Sequence, residues 1–196
     1  MALTVDLYDW EVDITRWVQR FSLGPARFLT RWMYWMGVKG VAGAILAGAV
    51  ALFWLYNRRI EAIFLLLIAI PDFFNILLRE VIGRARPTVD LVEVLDPGSQ
   101  GLSFPSGTTL HMLLFYGFLL YLAGQFISSR RLVYALWVLG GLYILLSGLW
   151  VIYYGRHWFM DAVGGYAYGA LYLLVLIAAY RWTMHWDRNK PRLSTG

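Results

Sequence analysis

Five apolar runs, each about long enough to cross a lipid bilayer, dominate this chain. They cover approximately residues 33–56, 60–82, 108–127, 132–152 and 161–182. A helix needs about 20 consecutive apolar residues to span the hydrocarbon core of a membrane. Tryptophan and tyrosine gather near the ends of the runs, which is typical of side chains at a membrane–water interface. The pattern predicts an all-α fold, a polytopic membrane bundle of about five transmembrane helices.

The segment before the first run has a different pattern. Between residues 7 and 21, apolar side chains recur at helical spacing among charged ones. This predicts an N-terminal amphipathic helix lying at the membrane interface. The alternative is that this helix packs against the membrane bundle. The acidic start of the chain lacks the basic stretch of a cleavable signal peptide. Residues 1–196 are expected to form a single membrane domain.

Composition excludes several kinds of site. Hydrophobic residues make up 60% of the chain and charged residues 15%, unlike a disordered or a soluble domain. Cysteine is absent, which excludes disulfides, a thiolate nucleophile and cysteine-ligated zinc. With three histidines, a histidine-rich metal site is not expected, and we expect neither a metal nor another cofactor. The net charge of +5 suits anionic lipid or phosphate, and nucleic acid is not an expected partner.

Basic residues are distributed unequally between the two ends of the predicted spans. The turns after the first and third runs, together with the C-terminal end, hold eight basic and two acidic residues, against nine basic and ten acidic elsewhere. Cytoplasmic loops carry the excess of arginine and lysine. The basic tail 183–196 is therefore expected in the cytoplasm. The N-terminal helix and the segments 83–106 and 153–160 then share the extracytoplasmic face of the cell membrane.

Three polar segments on that face carry residue types that suit phosphate. Residues 79–87 are rich in arginine, residues 104–108 read Phe-Pro-Ser-Gly-Thr, and residues 154–161 combine arginine, histidine and aspartate. Arginine is costly near hydrocarbon and usually has a function there. Its planar guanidinium matches phosphate geometry. The sequence therefore predicts an anion site built from these three segments.

Two of these segments suggest specific chemistry. Ser106 is expected to cap a helix, and Gly107 lets its N-terminal amides approach an anion closely. His157 and Asp161 are four residues apart, so they are neighbours on a helix. A carboxylate bonded to one imidazole nitrogen fixes the tautomer and leaves the other nitrogen free to attack. A purely structural role is the alternative for each pair.

The order and spacing of these segments resemble the three motifs of the type 2 phosphatidic acid phosphatase superfamily, relatives of the vanadium haloperoxidases. The resemblance covers roughly residues 6–180. The family motifs are Lys-x6-Arg-Pro, Pro-Ser-Gly-His and Ser-Arg-x5-His-x3-Asp. In this chain they read Arg79-x6-Arg86-Pro87, Pro105-Ser106-Gly107-Thr108 and Trp150-Val151-x5-His157-x3-Asp161.

The resemblance implies roles for individual residues. His157 would be the nucleophile that takes the phosphoryl group, and Asp161 would orient it. The family needs no metal. The phosphate would be held by a set of side chains and amides comprising Arg79, Arg86, Ser106, Gly107, Thr108 and, as a candidate, Arg156.

The chain departs from the family motifs at the proton donor and at one arginine. Thr108 stands where the family has the histidine that protonates the leaving group, and Val151 stands where it has an arginine. Arg156 is a candidate replacement for that arginine, or else an interface anchor. His111, one turn beyond Thr108, is a candidate substitute acid, or else a buried histidine bonded to a neighbouring span. Arg84 is a weaker candidate for the same replacement, and it is expected to be an exposed loop arginine.

One more polar group lies on the second run. Its four members follow one another at spacings of three, four and seven residues, so they are expected to share a helix face. They would either line an access groove or form a structural patch between helices. They are Asp72, Asn75, Arg79 and Arg86.

The leading functional hypothesis is a membrane lipid phosphatase acting through a phosphohistidine. It would hydrolyse a phospholipid or polyprenyl phosphate, and preferably a lipid diphosphate, because a leaving phosphate needs less help from a missing acid. One alternative is a lipid phosphotransferase that moves a phospho-head group to an acceptor hydroxyl. Another is a non-catalytic relative that binds a phospholipid.

Overall fold

The computed structural model describes residues 8–21, 32, 33, 35, 39–96 and 101–189. Within that part the chain is helical, and an isolated bridge between Ala85 and Leu102 is its one β-type pairing. This confirms the all-α prediction. The helices are α1 (Asp9–Gln19), α2 (Lys39–Leu55), α3 (Arg59–Leu66), α4 (Ala69–Ile82), α5 (Gly107–Phe126), α6 (Arg130–Tyr153) and α7 (Phe159–Asn189).

Four helical segments are long and apolar enough to cross a membrane. They are Arg59–Ile82, Gly107–Phe126, Arg130–Tyr153 and Phe159–Trp186, and Gly40–Leu55 is a shorter apolar helix. The predicted first span begins at residue 33, partly outside the described residues. The last helix continues to Asn189, so the first part of the predicted tail 183–196 is helical. Residues 190–196 lie outside the described part.

The second predicted span is interrupted between α3 and α4, at Leu67 and Ile68. Pro71 has no N–H group, so it cannot donate to the carbonyl of Leu67 four residues earlier. That carbonyl instead accepts from the Ile70 N–H and from the Tyr172 hydroxyl, both at 3.1 Å. The break therefore follows from proline, and a neighbouring helix satisfies the released backbone group.

Helix α5 lies at the centre of the bundle, packed against α6 and α7. Its side chains Leu110, Leu114 and Phe118 are fully buried in the main apolar core. On the outer helices the exposed side chains are largely apolar, for example Leu139 and Leu174. Such an apolar exterior suits contact with lipid.

The amphipathic helix α1 packs on the bundle against α6 and α7. Its inward face buries Glu11, Val12, Thr15 and Val18. Its outward face leaves Trp10, Trp17 and Phe21 exposed. Of the two sequence alternatives the structure shows packing on the bundle, and the exposed aromatic side chains are of the kind found at membrane interfaces. Residue 7, the predicted start, lies outside the described residues.

The segments predicted to share one face do meet at one end of the bundle. Arg16 Nε of α1 donates to the Leu91 carbonyl at 2.9 Å. The Leu95 N–H donates to the Tyr154 carbonyl at 3.1 Å. The helix, the segment after α4 and the turn after α6 thus form one layer over the ends of α5 and α7.

Candidate active site

The turn that carries His157 is fixed by its neighbours. Gly155 has φ +65°, and a Cβ there would lie 2.4 Å from the Glu93 carbonyl oxygen, so glycine is required. The indole of buried Trp158 donates to the Ala85 carbonyl at 3.1 Å. His157 itself is 2% exposed. The backbone on both sides of the imidazole is therefore held in place.

The two imidazole nitrogens of His157 face different groups. Nδ1 lies 3.5 Å from Asp161 Oδ2 and 3.4 Å from Ser103 Oγ. Because the Ser103 hydroxyl donates to Asp161, its oxygen is available to accept from Nδ1–H. Nε2 is 3.5 Å from Arg86 Nη1. This arrangement favours the tautomer with Nδ1 protonated, which leaves the Nε2 lone pair toward the arginine side.

Arg84 lies behind this pair, and the prediction that it is an exposed loop arginine is wrong. It is 2% exposed, and its guanidinium forks between two fully buried carboxylates. Nη1 donates to Asp161 Oδ1 at 2.7 Å, and Nη2 donates to Glu11 Oε2. Glu11 Oε1 also accepts from the Met160 N–H at 3.0 Å. The network joins α1 to the carboxylate that holds His157.

Burial lowers the pKa of His157 to about 4. The hydrogen bond to Asp161 opposes this shift, and the nearby charge of Arg86 adds to it. A lowered pKa means that the imidazole loses its proton as the pH rises through about 4. His157 is therefore neutral, and able to act as a nucleophile, at physiological pH.

Three arginines, Arg79, Arg86 and Arg156, line the same cavity as His157. Arg86 Nη1 donates to the Arg156 carbonyl at 2.6 Å, and Arg79 Nε donates to the Pro105 carbonyl at 3.0 Å. Burial lowers the pKa of Arg86 to about 10, and the positive charges of Arg79 and Arg156 add to the shift. A pKa of about 10 leaves Arg86 charged at neutral pH. Such mutual repulsion is relieved by an anion, and phosphate fits the guanidinium geometry.

Arg86 is not on the helix face predicted for it. Helix α4 ends at Ile82, and Gly83 follows with φ +69°, a left-handed cap that turns the chain. Arg86 therefore lies in the loop, yet it still lines one cavity together with Asp72, Asn75 and Arg79. The predicted grouping of these four side chains holds, for a different geometric reason.

Arg156 is oriented by Trp150, a position where the chain departs from the third motif, and by Asp96, which lies outside the motifs. Its guanidinium carbon lies 5.3 Å from the ring centre of Trp150, the residue that replaces the motif serine. Its Nε is 3.3 Å from Asp96 Oδ2. Stacking and a carboxylate together direct this arginine into the cavity. A guanidinium is thus present although Val151 cannot supply one.

The start of α5 forms another wall. Ser106 is fully buried and caps the helix, accepting from the Thr109 N–H at 3.4 Å. Gly107 and Thr108 line the cavity. A Cβ on Gly107 would lie 2.9 Å from Asn75 Nδ2 and 3.1 Å from Arg79 Nη2. Glycine therefore lets Arg79 approach the helix N-terminus.

Replacing Gly107 with alanine is expected to weaken binding of a phosphate-bearing substrate by about tenfold, if the site takes the anion that its arginines suit, because the methyl group displaces Arg79 and a charged hydrogen bond is worth about 1.5–3 kcal/mol. Initial rates across substrate concentrations would show this as a raised KM. Gly141→Ala on α6 is the matched control, because nothing lies within 4 Å of its added Cβ. Equal KM values for the two variants would contradict this account of Gly107.

The cavity between α2, α4 and α5 has a volume of about 390 Å³. One end is polar and contains His157 and the arginines, whereas the rest of the lining is apolar apart from Asp72, Asn75 and His111. A lipid with a phosphate head group has this division. The apolar lining comprises Gly43, Leu46, Ala69, Phe73 and Ile76.

His111 is bonded to a neighbouring helix, as one of its two sequence interpretations has it, whereas its role as a substitute acid stays a prediction. Its Nδ1 lies 2.7 Å from Asp72 Oδ2 on the neighbouring α4. It also lines the cavity that holds His157. Among the described residues, no group of three or more histidine, aspartate or glutamate side chains is arranged to hold a metal ion.

Comparison with known proteins assigns the chain to a family. A family model described as "PAP2 superfamily" matches residues 60–185. The chain belongs to the PAP2 superfamily. No curated protein sequence matches it significantly. The PAP2 match confirms the resemblance read from the motifs.

Solved PAP2 structures share the fold. One is the transmembrane PAP2-type phosphatidylglycerolphosphate phosphatase from Bacillus subtilis, with a TM-score of 0.75, 18% identity, and coverage of 94% of this chain and 87% of that chain. Another is LpxE of Aquifex aeolicus, with a TM-score of 0.68, 17% identity, and coverage of 89% and 99%. With the apolar helices, this likeness identifies a multi-pass membrane protein.

Several residues of the site were not predicted from the sequence. Ser103 and Glu11 contact the His157–Asp161 pair directly or through Arg84, and Asp96 orients Arg156. None of them belongs to a motif, and Ser103 is 54 residues from His157 and 58 from Asp161. A buried glutamate on a helix that is otherwise acidic gives no local signal.

Proposed function

We propose that this PAP2 protein is a membrane lipid phosphatase that acts through a phosphohistidine at the extracytoplasmic face of the cell membrane. One observation carries the proposal. His157, backed by Asp161, directs Nε2 toward Arg86 in a cavity that also holds Arg79 and Arg156. An imidazole thus lies beside Arg86, in a pocket that Arg79 and Arg156 also line and whose remaining lining is largely apolar, which supports attack by His157 on a lipid phosphate.

The mechanism follows from these positions. His157 Nε2 attacks phosphorus in line with the leaving group, while Asp161 stabilises the charge that develops on the imidazole. The arginines and the amides at the start of α5 stabilise the equatorial oxygens of the transition state. Water then hydrolyses the N–P bond, and orthophosphate leaves.

A lipid diphosphate is the preferred substrate class in this proposal. The Thr108 hydroxyl is a much weaker acid than an imidazolium. General acids contribute about 10²–10⁴-fold to the rates of such reactions. A departing alkoxide suffers most from this loss, because it is a strong base. A departing phosphate is already stable, so it suffers least. A polyprenyl diphosphate combines this leaving group with a tail suited to the apolar end of the cavity.

The test is phosphate release by the purified protein in detergent, from a polyprenyl diphosphate and from phosphatidic acid, with EDTA in every assay. Release that resists EDTA and favours the diphosphate would support the proposal. Transfer of the phospho-head group to an added lipid alcohol without free phosphate would favour the phosphotransferase. Tight binding of lipid phosphate without turnover would favour the binding protein.

The pH dependence should reflect the lowered pKa of His157. Because the pKa of His157 is about 4, kcat/KM, corrected for ionisation of the substrate, is expected to fall only as the pH falls through about 4. With a histidine nucleophile of ordinary pKa, kcat/KM would fall near pH 6.5. Rates measured from pH 3.5 to 8 would distinguish the two, and an acid limb centred near 6.5 would contradict the described burial.

A further inference from the structure

A second histidine–aspartate pair lies in the same cavity as His157. His111 Nδ1 on α5 is 2.7 Å from Asp72 Oδ2 on α4, and both residues line the cavity. The aromatic ring of Phe115 stacks against the imidazole, with ring centres 5.8 Å apart. The mechanism described above uses neither His111 nor Asp72.

The two pairs lie at different depths in the bundle. Arg79, in electrostatic range of His157, is seven residues from Asp72 on α4, which corresponds to about 10 Å along a helix. His111 is one turn beyond Thr108 on α5, about 5 Å farther from the start of that helix. The cavity therefore has an upper polar level with His157 and the arginines, and a lower polar level with His111 and Asp72.

Asn75 lies between these two levels and also lines the cavity. It is 3% exposed, and within the described part of the chain its Oδ1 accepts no hydrogen bond. A buried acceptor without a donor is unusual and calls for a bound group or water. A phosphate that carries a proton would supply that donor at this depth.

We propose that His111, oriented by Asp72, gives the proton to the leaving phosphate of a lipid diphosphate; this rests on the lipid phosphatase function proposed above. The acid in this step is the imidazolium form of His111: Asp72 accepts from its Nδ1–H, and the proton on Nε2 is the one transferred. A leaving phosphate has oxygens beyond the bridging oxygen, and these reach the lower level. The single oxygen of a leaving alcohol stays at the upper level, beside Thr108.

The two steps balance as follows. His157 Nε2 forms a bond to the distal phosphorus, and the bond from that phosphorus to the bridging oxygen breaks. Its electron pair goes to the departing lipid monophosphate, which receives the proton from His111 Nε2. In the second step water attacks the phosphohistidine, the N–P bond breaks, and one proton of the water returns to His111.

The test compares farnesyl diphosphate with farnesyl monophosphate, which share one tail and differ in the leaving group. His111→Gln is expected to lower kcat/KM for the diphosphate by about 100-fold, at the lower end of the usual range for a general acid. Activity on the monophosphate should stay within a few-fold, which also shows that the variant is folded. Asp72→Asn should change the ratio of the two activities in the same direction.

The third histidine of the chain supplies the matched control. His185 lies near the far end of α7, so His185→Gln should change neither activity. Thr108→His restores a histidine at the upper level, and it should raise monophosphate turnover more than diphosphate turnover.

Equal loss on both substrates in His111→Gln would overturn the role of His111 and leave the lipid phosphatase standing, because a structural defect does not discriminate between leaving groups. Equal activity of the unaltered protein on both substrates would overturn the diphosphate role. Absence of phosphate release from both before any substitution would overturn the proposed function itself.

Discussion

Replacing His157 with glutamine is expected to lower phosphate release by at least about 10³-fold, the scale on which loss of a covalent nucleophile is felt. Glutamine keeps a polar side chain of similar size, and its amide is able to contact Asp161 and Ser103. The fully buried site therefore keeps its packing while losing the Nε2 lone pair. Initial rates in detergent for this variant, beside His185→Gln, are the measurement.

The same variant tests the covalent intermediate. Brief exposure of the unaltered protein to a diphosphate labelled on its distal phosphorus, followed by alkaline quenching, should trap a phosphoryl group on protein. A phosphohistidine survives alkali and is lost in acid, whereas a phosphoserine behaves in the opposite way. No label is expected on His157→Gln. Label that persists on this variant, or that is stable in acid, would contradict attack by His157.

The bundle was predictable because lipid imposes a simple rule on sequence. A chain in hydrocarbon must satisfy its backbone polar groups internally and expose apolar side chains, so long apolar runs become helices. The same rule does not predict where a helix is interrupted within an apolar run. The interruption before α4 depends on Pro71 and on the Tyr172 hydroxyl, which lies 105 residues away from the carbonyl that it contacts.

The meeting of the three motif segments was predictable from topology alone. Segments that follow alternate spans lie on one side of a bundle, so the arginines, the helix N-terminus and His157 were expected to share a face. The precise partner of each side chain was not. Two interpretations of Arg156, an anchor or a ligand, were left open. Its direction depends on Trp150, which stands where the motif has serine, and on Asp96, which no motif includes.

Charges that pair across the fold were the hardest to interpret. Arg84 and Glu11 are 73 residues apart, and each resembles a solvated residue in its own segment. In the structure they are buried together with Asp161, which is 77 residues from Arg84. Charged groups are almost never buried without a partner. A sequence gives the charges but not which of them compensate one another.

Replacing Arg84 with methionine is therefore expected to cost about 3–5 kcal/mol in the free energy of unfolding, the usual result of removing one partner from a buried ion pair. The substitution leaves Glu11 and Asp161 buried, close together and without their shared cation. Repulsion between the carboxylates should release α1 from the bundle and leave His157 without an ordered partner. Activity should fall along with stability.

Thermal unfolding in detergent is the measurement, with Arg131→Met as control because Arg131 is an exposed residue in the first turn of α6. Protease cleavage near α1 should also become faster in Arg84→Met. An unfolding temperature equal to that of the control would mean that the network contributes nothing to stability.

Adding Glu11→Gln to Arg84→Met separates charge from packing. The second substitution removes one of the two uncompensated carboxylates, and the glutamine still accepts from the Met160 N–H. Stability should therefore recover in part, since the remaining cost is a single unpaired charge. Activity should not recover, because Asp161 still lacks the guanidinium that holds its Oδ1. Stability that falls further in the double variant would mean that Glu11 acts through contacts other than its pairing with Arg84.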